Sequence, residues 1–376
     1  MISRRRFLWV SAASVAGMLC GSSLLAAENN PIAGECFLIG DGVPGDASLF
    51  GLTTYSSRPG RVKIWRFGQD EVLEIKLPFL PHSFVAHPRA PHRVITFEKW
   101  GRHLAEIDLA SMVVVRVTQA QSGRRFFGHG AHSGDSIYAT QMDDDRGRGI
   151  VSVLDAANHK VMEEFETLGA FPHDCQWLPD SDTLLIVNSR RSGAQDTLSE
   201  NFSSLIWMDA KTGKCLKQLL IETKAFGYAH LAQSAEGFMV LSGSYLAPHG
   251  RAQPLLSVIR PDGVVQALNL ASNSRAPLQG EALSLYLNED DDQVTVTFPK
   301  SSRIQVWNYR TAEFIQQIKI GEPRGLAYSM ERRALIASSA QTKDFLIVDK
   351  RLKLTSATPA ASNLGGNGSH LYRLKI

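Results

Sequence analysis

A polar residue, most often histidine, recurs just ahead of a short apolar run along most of the chain. The marks are His82 in L-P-H-S-F, His129 in F-G-H-G-A, His173 in F-P-H-D-C, His230 in Y-A-H-L-A, Glu281 in Q-G-E-A-L, Arg324 in E-P-R-G-L and His370 in G-S-H-L-Y. Consecutive marks stand 43 to 57 residues apart, the length of one four-stranded blade. Seven marks predict an all-β, seven-bladed β-propeller.

The stretches between marks support that class. Short runs rich in Val, Ile, Leu and aromatics end in Gly, Asp, Asn or Pro, among them Arg61–Phe67, Gly149–Asp155, Leu205–Asp209 and Ile304–Asn308, and long amphipathic helical patterns are missing. The third run of a repeat often ends in Asp or Asn, as at Asp108, Asp155, Asp209, Asn308 and Asp349. At the ends of the chain, segments near 49–54, 61–67 and 71–77 supply three strands, and Leu371–Ile376 supplies one more. Pairing that last strand as the innermost strand of the N-terminal blade closes the ring and removes an open edge. Cys36–Gly40 is the alternative source of that inner strand.

The chain opens M-I-S-R-R-R-F-L-W and continues as an apolar, small-residue run to Ala27, the three-part pattern of a secretion signal. Arg4 and Arg5 after Ser3 fit twin-arginine export, although Trp9 stands where a basic residue is common. Cleavage is expected after Ala26 or Ala27, and bulky Leu19 before Cys20 argues against a lipoprotein. Residues 1–27 are therefore read as a signal, residues 28–376 as a single propeller domain, and the periplasm as its location. The formal net charge of +3 includes Arg4, Arg5 and Arg6, so the mature body is near neutral and lacks the basic face a nucleic-acid partner needs. No later apolar run reaches the roughly 20 residues of a membrane span. Three cysteines remain, Cys36, Cys175 and Cys215; a bridge between the last two is open, and no C-x-x-C points to redox exchange.

In such a ring the inner strands start at one face, and the loops between second and third strands return to it. The marks should therefore crowd one mouth of the channel beneath the loops at 141–148, 189–203 and 244–253, where recognition is expected. Neutral imidazole is a general ligand for Fe, Cu, Zn and Ni. His129, His173 and His230, on consecutive blades, are the preferred metal trio, with His82 and His370 completing a wider arc. Glu281 is a candidate ligand or imidazole-orienting carboxylate. Arg324 is an anion hook or the counter-charge of Glu281. Two other readings of the same histidines stay open: polar lining of a wet channel, and an acid or base without metal.

Weaker candidates lie in the loops. Asp143 to Asp145 could touch a ligand or ion near the mouth, and Arg190 and Arg191 could grip an anion through their guanidinium forks. Glu289 to Asp292 fits a solvated hairpin turn and lacks a calcium-loop pattern. His132 and His249 are read as surface residues, and His87, His92, His103 and His159 as turn residues remote from the mouth. Trp65, Trp207 and Trp307 fall on third strands and fit packing between blades. G-x-S-x-G and H-E-x-x-H are both missing.

Several segments together, F-F-G-H-G (126–130), S-I-Y-A-T (136–140), R-G-I-V-S-V-L-D (148–155), P-H-D-C-Q-W-L-P-D (172–180), L-I-V-N-S (185–189) and S-L-I-W-M-D-A-K-T-G (204–213), resemble the exported bacterial propellers numbered 1513 among domains of unknown function. The resemblance spans most of the mature chain. It implies an exported propeller encoded beside iron-regulated periplasmic proteins, and it carries no assigned enzyme activity or catalytic residue. The chain departs from the family at 189–203, which lacks a histidine, and in G-G-N-G-S-H before the last mark. The channel histidines are then the better shared feature. Three functions follow as expectations: a periplasmic protein binding a transition metal (Fe, Cu or Zn) or a metal-containing ligand in iron or copper handling; a non-enzymatic scaffold whose loop face holds a periplasmic protein partner; and a hydrolase or lyase with His173 or His129 as base.

Overall fold

The computed structural model describes residues 34–42, 57–66, 72–178, 180–190, 202–223, 226–245, 255–268, 278, 280–342, 344–349, 353–356, 368 and 370–375. Among them, seven antiparallel four-stranded sheets make seven blades, as the repeat predicts. The inner strands are Pro81–His87, Arg124–Ser133, Ala170–Trp177, Phe226–Gln233, Leu285–Asn288, Pro323–Ser329 and Leu371–Lys375. The C-terminal strand lies antiparallel on Glu35–Gly42, with Glu35 opposite Lys375 and Ile39 opposite Leu371, so it is the innermost strand of the N-terminal blade. Glu35–Gly42 takes the second position, and the strand expected near 49–54 lies outside the described residues. Pairing the C-terminal strand with Glu35–Gly42 closes the ring through the N-terminal blade.

Middle strands bury both faces because each sheet packs between two neighbours. Val294, Val296 and Phe298 alternate with Thr295 and Thr297 on one strand, and all five are buried. Trp65 stacks on Phe345 of the adjoining blade at 5.1 Å between ring centroids, which makes it an inter-blade packing residue. Outermost strands meet water along one face, as in Val113–Gln119, where Val113, Val115 and Val117 are exposed.

The acid at the end of the third strand has a local cause. Asp155 Oδ1 accepts hydrogen bonds from the backbone N–H groups of Ala157 and Asn158; Asp209 Oδ1 does so from Lys211 and Thr212, and Asn308 Oδ1 from Arg310 and Thr311. A short side-chain acceptor there closes the turn into the fourth strand. Cys175 and Cys215 are free thiols, so the two are unbridged.

Candidate metal centre

Each inner strand that carries a mark is interrupted at or beside it. Strand pairing steps from Pro81 to Ser83, from Phe126 to Gly130, from Pro172 to Asp174, from Tyr228 to His230 and from Pro323 to Leu326. His82 and His173 are themselves the unpaired residue of a β-bulge. A bulge turns a side chain out of the regular alternation, and at the rim of a channel it re-aims that side chain.

Gly128 shows how tight the arrangement is. Its φ of +103° suits glycine, and an added Cβ would lie 2.5 Å from His82 Cδ2 and 3.2 Å from Lys99 Cβ. Its carbonyl accepts the hydroxyl of Ser83, tying two adjacent blades together at the histidines.

The five histidines converge. His82, His173, His230 and His370 follow one another around a closed circuit with ring centroids 6.1, 4.6, 4.8 and 4.8 Å apart, and His129 lies 4.8 to 5.4 Å from all four. Two trios place one ligand nitrogen from each residue within 4.8 Å of the others: His82, His129 and His173, and His129, His230 and His370. Nitrogens bound tetrahedrally at about 2.1 Å from one ion stand roughly 3.4 Å apart, so small side-chain shifts would complete either set. The sequence-preferred trio of His129, His173 and His230 is thus split between two sets, and His129 is their common member.

His82, His129, His173 and His230 are buried and His370 is half-buried. Nε2 of His82, His129, His173, His230 and His370, and Nδ1 of His230, are inaccessible to water and make no hydrogen bond among the described residues. Orphaned buried nitrogens cost free energy unless water or an ion satisfies them. Burial, reinforced by the Lys99 ammonium, pushes the pKa of each ring down, for His370 to about 3 and for the other four well below the usual range. All five therefore offer neutral lone pairs at physiological pH, the form a metal needs.

Two residues passed over in the sequence complete the centre. Asp174 is buried with Oδ1 3.5 Å from His129 Nδ1; its Oδ2 accepts N–H groups from Leu231 at 3.1 Å and from the Gln176 side chain at 3.0 Å. Burial raises its pKa to about 6. A carboxylate behind a ligating imidazole fixes the tautomer and strengthens the donor nitrogen, and the acid directly after His173 in P-H-D-C was the available signal. Lys99, at the turn after the second strand of the blade that carries His82, is half-buried; its ammonium makes no hydrogen bond or ion pair among the described residues. Burial lowers its pKa to about 8, partly offset by Glu281.

The remaining marks lie opposite the histidines. Arg324 stands 4.0 Å from Glu281 and donates its Nε–H to the Gly368 carbonyl, so the pair balance each other and Glu281 belongs to neither trio. Asp143 differs from its sequence reading. The strand Ser136–Asp143 extends through it, and it is buried against Arg124 at 3.0 Å and Arg148 at 3.4 Å rather than lying in a loop. Arg190 covers the Phe171 ring at 5.1 Å, while Arg191 and His249 lie outside the described residues. His132 is half-buried rather than a surface residue.

A cavity of about 240 Å³ borders the histidines. His129, His230, His370 and Asp174 form its histidine end, and Tyr286 and Tyr328, stacked at 5.3 Å, lie along its wall.

Comparisons with known proteins agree with this architecture. A family model described as "Protein of unknown function (DUF1513)" matches residues 75–364. No curated protein matches the chain in sequence. Among solved structures, Kuenenia stuttgartiensis hydrazine synthase is similar at a TM-score of 0.59 and 11% identity, covering 78% of this chain and 90% of that one. The Pseudomonas aeruginosa periplasmic gluconolactonase PpgL is similar at 0.59 and 15% identity, covering 91% and 99%. A functionally unknown protein from Desulfotomaculum acetoxidans is similar at 0.56 and 12% identity, covering 90% and 99%. At these identities the likeness is one of fold.

Proposed function

The chain belongs to the family of proteins of unknown function numbered 1513, and from that premise we propose that it is a metal-binding β-propeller whose buried five-histidine centre holds a transition-metal ion. The observation that carries this reading is the set of orphaned Nε2 atoms on five neighbouring rings. Water lining of an open channel would leave such nitrogens hydrated, whereas an ion satisfies several of them at once.

The donor set is imidazole alone, which suits Cu, Zn, Fe or Ni and gives no thiolate preference. His129 is the pivot, being common to both trios and backed by Asp174. The low pKa of the rings argues against a histidine general base, which works best with a pKa near the operating pH. The twin-arginine-like start supports a place in the periplasm and a role there in iron or copper handling.

Metal analysis of protein purified without a histidine tag or chelating resin tests the proposal. Loading with Cu, Zn or Fe should leave about one equivalent after gel filtration, lost in His129→Ala and in the His129→Ala, His173→Ala double variant. Less than about a tenth of an equivalent with every metal would refute it.

A further inference from the structure

Resting on that metal reading, we propose that the centre takes a small carboxylate or inorganic oxyanion as its exogenous ligand, one oxygen on the ion and another on the Lys99 ammonium. Lys99 is placed for this by its stem, which lies beside His82 over Gly128. Its charge acts on all five rings as well as on Glu281.

The need for an anion follows from the charge count. Five neutral imidazoles bring no charge, and a divalent ion brings two positive ones. Lys99 adds another. Arg324 and Glu281 cancel, and Asp174 contributes the one remaining carboxylate of the centre. A buried excess of positive charge is costly unless a counter-charge enters with the metal. An ammonium whose charge acts on the centre, and which makes no hydrogen bond or ion pair among the described residues, is the complement of such an anion. Neither trio fills a usual coordination shell, so a position on the ion stays available to an oxygen donor.

The test uses the full mature protein loaded with Co(II), whose visible bands report the coordination shell, and sodium acetate as probe at constant ionic strength. Acetate should shift the bands in a saturable, one-site titration. Lys99→Met and Lys99→Gln should keep about one equivalent of cobalt and an unchanged circular dichroism spectrum while weakening acetate tenfold or more. If cobalt, like Cu, Zn and Fe, fails to bind, the metal reading fails; if only cobalt fails, the same titration on the Cu(II) bands replaces it. If cobalt binds and acetate up to about 100 mM leaves the bands unmoved, the anion inference alone fails. Equal acetate affinity in folded Lys99 variants, or loss of cobalt from them, overturns the role given to Lys99.

Discussion

Among the described residues two groups of histidines lie inside the fold, and they are built differently. In the channel, five rings face one another with Nε2 unpaired. Between the blade of Pro81–His87 and that of Arg124–Ser133, His87 and His159 gather around Glu106 instead. His87 Nε2 lies 3.1 Å from the Ala156 carbonyl and its Nδ1 accepts the Arg89 N–H, while His159 Nδ1 meets the Thr118 hydroxyl at 3.0 Å. His159 Nε2 makes no hydrogen bond among the described residues but faces the Glu106 carboxylate at 3.6 Å, which also stands 3.8 Å from His87 and accepts from Arg93 at 2.8 Å. A histidine that fastens a fold is surrounded by protein acceptors and donors, whereas one kept for an outside ligand is surrounded by other donors of its own kind.

Breaking the outer group should give the largest change in stability. Glu106→Leu removes the buried carboxylate that Arg93 and both histidines share, and loss of one partner from a buried ionic group costs several kcal/mol. Arg93 keeps Asp108 at 3.1 Å and reaches water, which reduces the penalty to about 3 kcal/mol of unfolding free energy. Denaturant unfolding measures it. Metal content should not change, and a variant that lost metal in proportion to stability would erase the distinction between the two groups.

Loading the channel group should raise stability by nearly as much. A ligand held only by the folded state, at a hundredfold excess over its Kd, stabilises by about 2.7 kcal/mol. Thermal or denaturant unfolding with and without metal should show this gain in the native chain and in His159→Gln, and none in His129→Asn. Equal stabilisation in all three proteins would place the metal outside the channel.

The difference between the groups was only half legible in the sequence. The period of the marks predicted the blade count, and because each mark sits at the same step of its repeat, it also predicted that the histidines gather in one place. The closing strand was legible as one of two options, since Leu371–Lys375 and Glu35–Gly42 are both apolar runs at a chain end, and the two lie paired. The bulges were hidden, because an unpaired residue is defined by its partner strand. His87 and His159 looked like turn residues, yet each is buried, since contacts across a blade interface leave no trace in local spacing. Asp143 looked like a loop ligand because Q-M-D-D-D-R-G-R reads as one polar stretch, while the hairpin turn is confined to residues between Asp143 and Arg148.

A smaller change sharpens the role of Asp174. Its Oδ2 already accepts two N–H groups, so in Asp174→Asn the amide oxygen must stay there and the NH2 must face His129 Nδ1. That makes Nδ1 an acceptor, moves the ring proton to Nε2 and blocks the lone pair the metal needs. Metal affinity should fall about 10- to 100-fold, or about 1.4 to 2.7 kcal/mol, by competition against a chromogenic chelator. Unchanged affinity would show that His129 binds without help from Asp174.

The smallest effect separates the groups by pH. Burial lowers the pKa of His159 from 6.5 to about 4, against an opposing pull from Glu106. Above pH 6.5 the ring is neutral in both folded and unfolded chains, so its contribution is complete. As pH falls from 6.5 towards 4 the unfolded chain takes up a proton that the folded one refuses, and stability drops by up to about 1.4 kcal/mol per pH unit. Below 4 both states are protonated and the loss stops. In metal-free protein, His159→Gln should therefore lose about 1.2 kcal/mol less than the native chain between pH 6 and pH 5, with the channel histidines contributing equally to both. Parallel stability curves across that interval would mean that His159 is protonated in the fold, held by Glu106 as an ion pair rather than as a neutral hydrogen-bonding ring.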